Sequence, residues 1–106
     1  MVISSYKSVW IKGSETKLLS VIPASSIIIS ILIEVQNDAT GTVTLSTESV
    51  DGLDPSRIIY IDYITASGFY TGNSAKEYFI SRQNLTVKIT GNLTVRFKIL
   101  FWETEK

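Results

Sequence analysis

The chain has 106 residues, with ten basic and ten acidic side chains, no histidine and no cysteine. Without histidine or cysteine it lacks the commonest general acid–base, the commonest metal ligand and any disulfide or thiolate site. Zero net charge removes the basic excess that a phosphate-bound nucleic-acid partner calls for, and it leaves little repulsion between copies, which suits a protein that assembles.

Ser5 to Lys12 reads as a first strand carrying Tyr6, Val9, Trp10 and Ile11, and Gly13-Ser14 turns it. Thr16 to Ile22 is a second strand, ended by Pro23, which removes a ladder donor. Ser26 to Gln36 is the longest. Its odd face, Ile27, Ile29, Ile31, Ile33 and Val35, is wholly β-branched and is expected in the core. Its even face, Ile28, Ser30, Leu32, Glu34 and Gln36, is only partly apolar. Asn37 to Gly41 is a turn, and Thr42 to Thr47 a fourth strand with Val43 and Leu45 inward and threonine or serine outward. Glu48 to Ser56 is a loop around Asp51-Gly52-Leu53-Asp54-Pro55, and Arg57 to Ile64 a fifth strand. Thr65 to Asn73, with two glycines, reads as a loop, and Ala75 to Ile80 as a sixth strand.

The segment from Asn84 to Ile99 nearly repeats itself: NLTVKIT, Gly91, then NLTVRFKI. Both copies alternate apolar and polar residues with a period of two, the signal of half-buried strands. Read as a hairpin, a three-residue Thr90-Gly91-Asn92 loop sets Ile89 opposite Leu93 and Val87 opposite Val95, keeping both apolar faces together. Asn92 is then expected in the left-handed conformation. Val95, Phe97 and Ile99 join Ile29, Ile31 and Ile33 in the expected core.

Eight short strands with frequent turn signals point to an all-β antiparallel sandwich of jelly-roll type, formed as one domain over residues 1–106. The most hydrophobic window, Leu18 to Val35, contains Pro23, four serines and Glu34, whereas a spanning helix needs about 20 mostly apolar residues. The start, MVISSYKSVW, lacks the basic and apolar regions of a secretion signal. The two Asn-Leu-Thr sequons, without such a signal, read as strand and turn residues.

Catalysis has little to stand on. A serine nucleophile without histidine needs a lysine base, and nothing marks one of the seven lysines. Asp51 and Asp54 read as carboxylates that bond turn amides. A calcium site wants 6–8 oxygens, and only Asp51, Asp54 and Glu48 are in reach. No cofactor or metal is expected. Tyr60, Tyr63, Tyr70 and Tyr78, with Phe69, offer a stacking platform for sugar rings, set against the ordinary fit of tyrosine to a pleated, half-buried surface. A contact surface is the other candidate. The second faces of the long and last strands carry Ile28, Leu32, Leu100 and Trp102, and a cluster of exposed apolar groups marks an interface.

With the strands laid out, VIPASSIIISILIEV, TGTVTLST, TASGFYTGN and NLTVKITGNLTVRFKILFWE together resemble small β-sandwich structural proteins of tailed bacteriophages. Ile22-Pro23-Ala24-Ser25 stands for that family's opening turn, with Ser25 where glycine is usual. Gly68-Phe69-Tyr70 stands for its glycine–tyrosine loop and Thr90-Gly91 for its closing turn. The resemblance implies a non-enzymatic virion component, foremost an auxiliary or decoration protein on the capsid exterior. It would be bound to capsid or other virion proteins and to its own copies as a homo-oligomer, with no nucleic acid and no membrane. A tail, neck or head-fibre part and a carbohydrate-binding module are the alternatives.

Overall fold

The computed structural model describes residues 2–14, 16–72 and 78–103. Ten strands run in chain order: β1 Val2–Lys7, β2 Ile11–Lys12, β3 Thr16–Ile22, β4 Ser26–Val35, β5 Gly41–Ser49, β6 Arg57–Ile64, β7 Gly68–Gly72, β8 Tyr78–Phe79, β9 Gln83–Ile89 and β10 Thr94–Glu103. All pairings are antiparallel, and the described residues contain no helix. One sheet has the order β1-β10-β4-β7, with β2 also on β10 and β8 also on β4. The other has the order β3-β9-β5-β6.

β1 and β2 both lie along β10, so they form one strand interrupted at Ser8–Trp10. Counting β7 and β8 together in the same way returns the eight strands expected. Their pairs are nested: β1 with β10, β3 with β9, β4 with β7, β5 with β6. A long antiparallel ribbon, doubled back between β5 and β6 and rolled into two sheets, has this course, which is that of a jelly roll. The inner faces enclose Ile31, Ile33, Val43, Leu45, Leu85, Val87, Val95, Phe97 and Ile99, all essentially inaccessible.

Several expectations are overturned. The repeat at Asn84–Ile99 is no hairpin. β9 pairs with β3 and β5 while β10 pairs with β1, β2 and β4, so the two copies sit in opposite sheets. Ile89 lies opposite Val43, and Val95 opposite Val35. The apolar faces still meet, but across the core. Alternation fixes which face a strand buries and not which strand it bonds. The left-handed residue is Gly91 at φ 79°, not Asn92.

A bulge alters the long strand. Leu100 pairs with Ser30 but Phe101 pairs with Ile28, so Ile29 is an extra residue on β4. A bulge of this kind reverses the facing of everything before it. Ile28, expected on the surface, is therefore only 1% exposed, and Ile29, expected in the core, is only half-buried. Further differences are local. The first strand starts earlier and breaks at Ser8; Gly68–Gly72, read as loop, is a strand bonded to β4; and Thr47 and Ser49 of β5 point inward. Ala75 to Glu77 of the expected sixth strand lie outside the described residues, and Tyr78–Phe79 form β8.

Several turns use left-handed backbone, at Ser14, Ser25, Gly52 and Gly91 among the described residues. Ser25, where the resembled family favours glycine, has φ 58°. At the β9–β10 crossover, Gly91 passes between two other loops so closely that a Cβ on it would strike the Thr40 carbonyl oxygen. Cβ atoms on Gly13 and Gly41 would strike the carbonyl oxygens of Gly91 and Thr90. The Asn37 side chain locks this end: its amide donates to the Asn92 carbonyl (2.6 Å), and its oxygen accepts the Thr94 N–H (2.9 Å).

Candidate functional site

The outer face of the larger sheet carries the most distinctive surface. Residues directly opposite in an antiparallel pair share a face. Trp102 lies opposite Ile3 on one side and Ile27 on the other, and Ile27 lies opposite Tyr78. Ile3-Trp102-Ile27-Tyr78 is thus a four-strand apolar row. Ile3, Tyr78 and Trp102 are exposed, Trp102 to 41%, and Ile27 is half-buried. The next row along is Ser5-Leu100-Ser30, then Lys7-Lys98-Leu32-Thr71, then Arg96-Glu34-Phe69. One end of the face is apolar and the other is charged.

The charged end is organised around Arg96. Its Nε donates to Glu34 Oε1 at 2.5 Å, and its guanidinium carbon lies 4.5 Å from the centre of the Trp10 ring, a cation–π contact. Beside it the interruption after β1 opens a shallow depression of about 210 Å³, lined by Lys7, Ser8, Leu32, Lys98 and the paired Glu34 and Arg96. Ser8 keeps the ladder satisfied there: its N–H donates to the Phe97 carbonyl (2.9 Å), and its hydroxyl oxygen accepts the Phe97 N–H (2.8 Å).

Of the four residues expected to form a contact surface, Leu32, Leu100 and Trp102 lie on this face, and Ile28 lies beneath it in the core. Ile3 and Ile27 complete the apolar row. Sequence reading missed Ile3 because its partner is about a hundred positions away, and missed Ile27 because the bulge hides its facing.

The tyrosines do not converge. Tyr60 is half-buried and donates its hydroxyl to Asp62 Oδ2 (2.6 Å); burial first, and the neighbouring carboxylate second, push its pKa above the ordinary phenol range. Tyr70 packs against the core and donates its hydroxyl to the Ala66 carbonyl (2.7 Å). Tyr63, 71% exposed, lies opposite Thr42 on the outer face of the smaller sheet, whereas Tyr78 lies on the outer face of the larger one. Two exposed rings on opposite faces of a sandwich cannot stack on one sugar.

In the β5–β6 loop, Asp51 Oδ1 accepts the Leu53 N–H (3.0 Å), the turn-bonding role expected of it. That bond, followed by one with the Ser49 hydroxyl, holds the Asp51 pKa below its usual value. The Ser49 hydroxyl accepts the Asp54 N–H (2.7 Å). Among the described residues no three acidic side chains gather as a metal site.

No family model matches the chain, and no curated protein matches it. Solved structures do. A chain in the "Capsid of Ralstonia phage GP4" is similar at a TM-score of 0.63 and 12% identity, over 98% of this chain and 84% of that one. A chain in the "Acidic stable capsid structure of Helicobacter pylori bacteriophage KHP30" gives 0.58 and 12%, over 95% and 87%. A chain in the "Cyanophage Pam1 capsid asymmetric unit" gives 0.57 and 12%, over 96% and 85%. At such identities the likeness is one of fold, and it spans nearly the whole of each partner.

Proposed function

We propose that the chain is a structural component of a phage particle, an auxiliary protein held on the capsid exterior by protein–protein contacts and carrying out no catalysis. The observation that supports this most is whole-chain coverage. The similar chains in three phage capsid structures are little longer than this one, so the matched unit is a small jelly roll by itself and not a fragment of a larger shell subunit. The outer face of the larger sheet supplies a means of attachment. Its apolar row puts an exposed tryptophan between Ile3 and Ile27, and aromatics buried on contact are the usual anchors of interfaces. On one side of it Ser5 and Ser30 flank Leu100 in the next row.

The reading is tested by isolating phage particles on a density gradient from a lysate that expresses the chain, and quantifying the chain against the major shell protein. A fixed ratio to the shell protein through repeated purification is expected. Absence from particles overturns the reading. Trp102→Ala is expected to cut the amount per particle severalfold while leaving thermal unfolding of the free protein nearly unchanged. Unaltered incorporation would move the attachment site off this row.

A further inference from the structure

On the outer face of the larger sheet, Lys7 and Lys98 stand directly opposite one another on β1 and β10. Like charges at such a position repel, and neither lysine has an ion-pair partner among the described residues. The carboxylate nearest in the sheet, Glu34, is already engaged with Arg96. Both lysines line the depression of about 210 Å³, together with Leu32 and the Arg96–Glu34 pair. An occupant that relieves this arrangement must bring negative charge to the two lysines, with an apolar group beside it for Leu32.

The chain carries such a group itself. In the β5–β6 loop, Asp51-Gly52-Leu53-Asp54 sets two carboxylates about one leucine, and Leu53 is 83% exposed. The loop is held by its own bonds, from Leu53 N–H to Asp51 and from Asp54 N–H to Ser49, so its shape exists before any partner arrives. A preformed loop gives up little freedom on docking. A protein of zero net charge therefore displays an acidic apolar tip in one place and a basic apolar depression in another.

We propose that the β5–β6 loop of one copy docks in the depression of a second copy, with Leu53 against Leu32 and the carboxylates of Asp51 and Asp54 facing Lys7 and Lys98. The two surfaces are different parts of the same chain, so the contact is head-to-tail. Repetition closes into a ring or extends as a row; it does not end at a two-fold dimer. This inference stands apart from the virion reading. A chain that self-associates but is absent from particles refutes that reading and leaves this one intact.

The experiment is sedimentation of the purified chain at concentrations up to about 1 mM, where a weak contact still registers. Concentration-dependent association is expected, weakening about tenfold or more between roughly 0.05 and 0.5 M salt as the charges are screened. Lys7→Glu with Lys98→Glu should abolish it. Asp51→Asn with Asp54→Lys should abolish it too; asparagine keeps the oxygen that accepts the Leu53 N–H. The decisive step is to mix the two variants. Each then offers the other a complementary surface, and association should return. A wild-type chain that stays monomeric, association that survives the lysine changes, or a mixture that stays monomeric overturns the proposal. Melting curves of both variants matching the wild type exclude loss of fold as the cause.

Discussion

At the crossover end of the sandwich, backbone lies against backbone. Gly13, Gly41 and Gly91 let three loops approach until no Cβ fits, and the Asn37 side chain ties two of those loops together. At the opposite end, the β5–β6 loop and the segment after β8 leave Val50, Leu53 and Ile80 in solvent. There, among the described residues, a backbone bond from Val50 N–H to the Arg82 carbonyl joins the two loops. The first end is specified by exclusion of side chains and the second by their display. Loops that display side chains on a rigid frame are where contact with other molecules concentrates. The glycine-packed end supplies that frame.

This contrast can be broken most sharply at Gly91. Gly91→Ala puts a Cβ against the Thr40 carbonyl in a backbone at φ 79°, and strain with overpacking should cost about 3 kcal/mol or more. Chemical denaturation measures it, and a loss under about 1 kcal/mol would mean that the three loops can part without penalty. Asn37→Ala removes the acceptor of the Thr94 N–H and the donor to the Asn92 carbonyl, with an expected loss of about 1–3 kcal/mol in the same measurement.

Asp38 tests the same end through pH. Its carboxylate accepts the Ser67 N–H (3.0 Å) and hydroxyl (2.9 Å), and these bonds, the backbone one foremost, hold its pKa below the usual value. A carboxylate depressed on folding stabilises the folded chain above its unfolded pKa, about 3.9, and the contribution is lost as pH falls through the lower folded value. Asp38→Asn should therefore melt lower than the wild type at pH 7, and the difference should shrink as pH falls below the usual carboxylate range. The smallest effect belongs to the opposite end. Leu53→Ser should change stability by no more than about 0.5 kcal/mol. A larger loss would show that Leu53 is packed in the isolated chain and is not on display.

Much of the fold was legible because alternation was strong. Thr16–Ile22 and Arg57–Ile64 match their strands to the residue, and Val43, Leu45, Ile31, Ile33, Val95, Phe97 and Ile99 are buried as their period requires. What failed has one physical origin: a period of two carries no information about partners. Two successive strands that bury the same parity look alike whether they bond edge to edge or face each other across a core, and Asn84–Ile99 was therefore misread as a hairpin. Ile29 shows a second blind spot. An inserted residue leaves a run of five β-branched side chains at alternate positions unchanged in sequence, yet it sends Ile28 inward. Gly68–Gly72 shows a third. Its strand is recruited by the β4 backbone, while its two glycines and central aromatics speak for a loop. The candidate surface inherited these limits. Leu32, Leu100 and Trp102 were found by parity, while Ile3 and the Lys7–Lys98 opposition depend on β1 meeting β10, a pairing no local pattern announces.

The order of strands within the sheets sets a timetable for synthesis. β9 lies between β3 and β5, and β10 lies between β1 and β4. Among the ten strands, β9 and β10 follow all the others in the chain, and each is interior to its sheet. Until Gln83–Ile89 and Thr94–Glu103 have emerged, β1, β3, β4 and β5 each present an open edge where their central partner belongs. Edges held open in this way, that of the isoleucine-rich β4 above all, are prone to pair with other chains. Both sheets can therefore be completed only after these two strands are available.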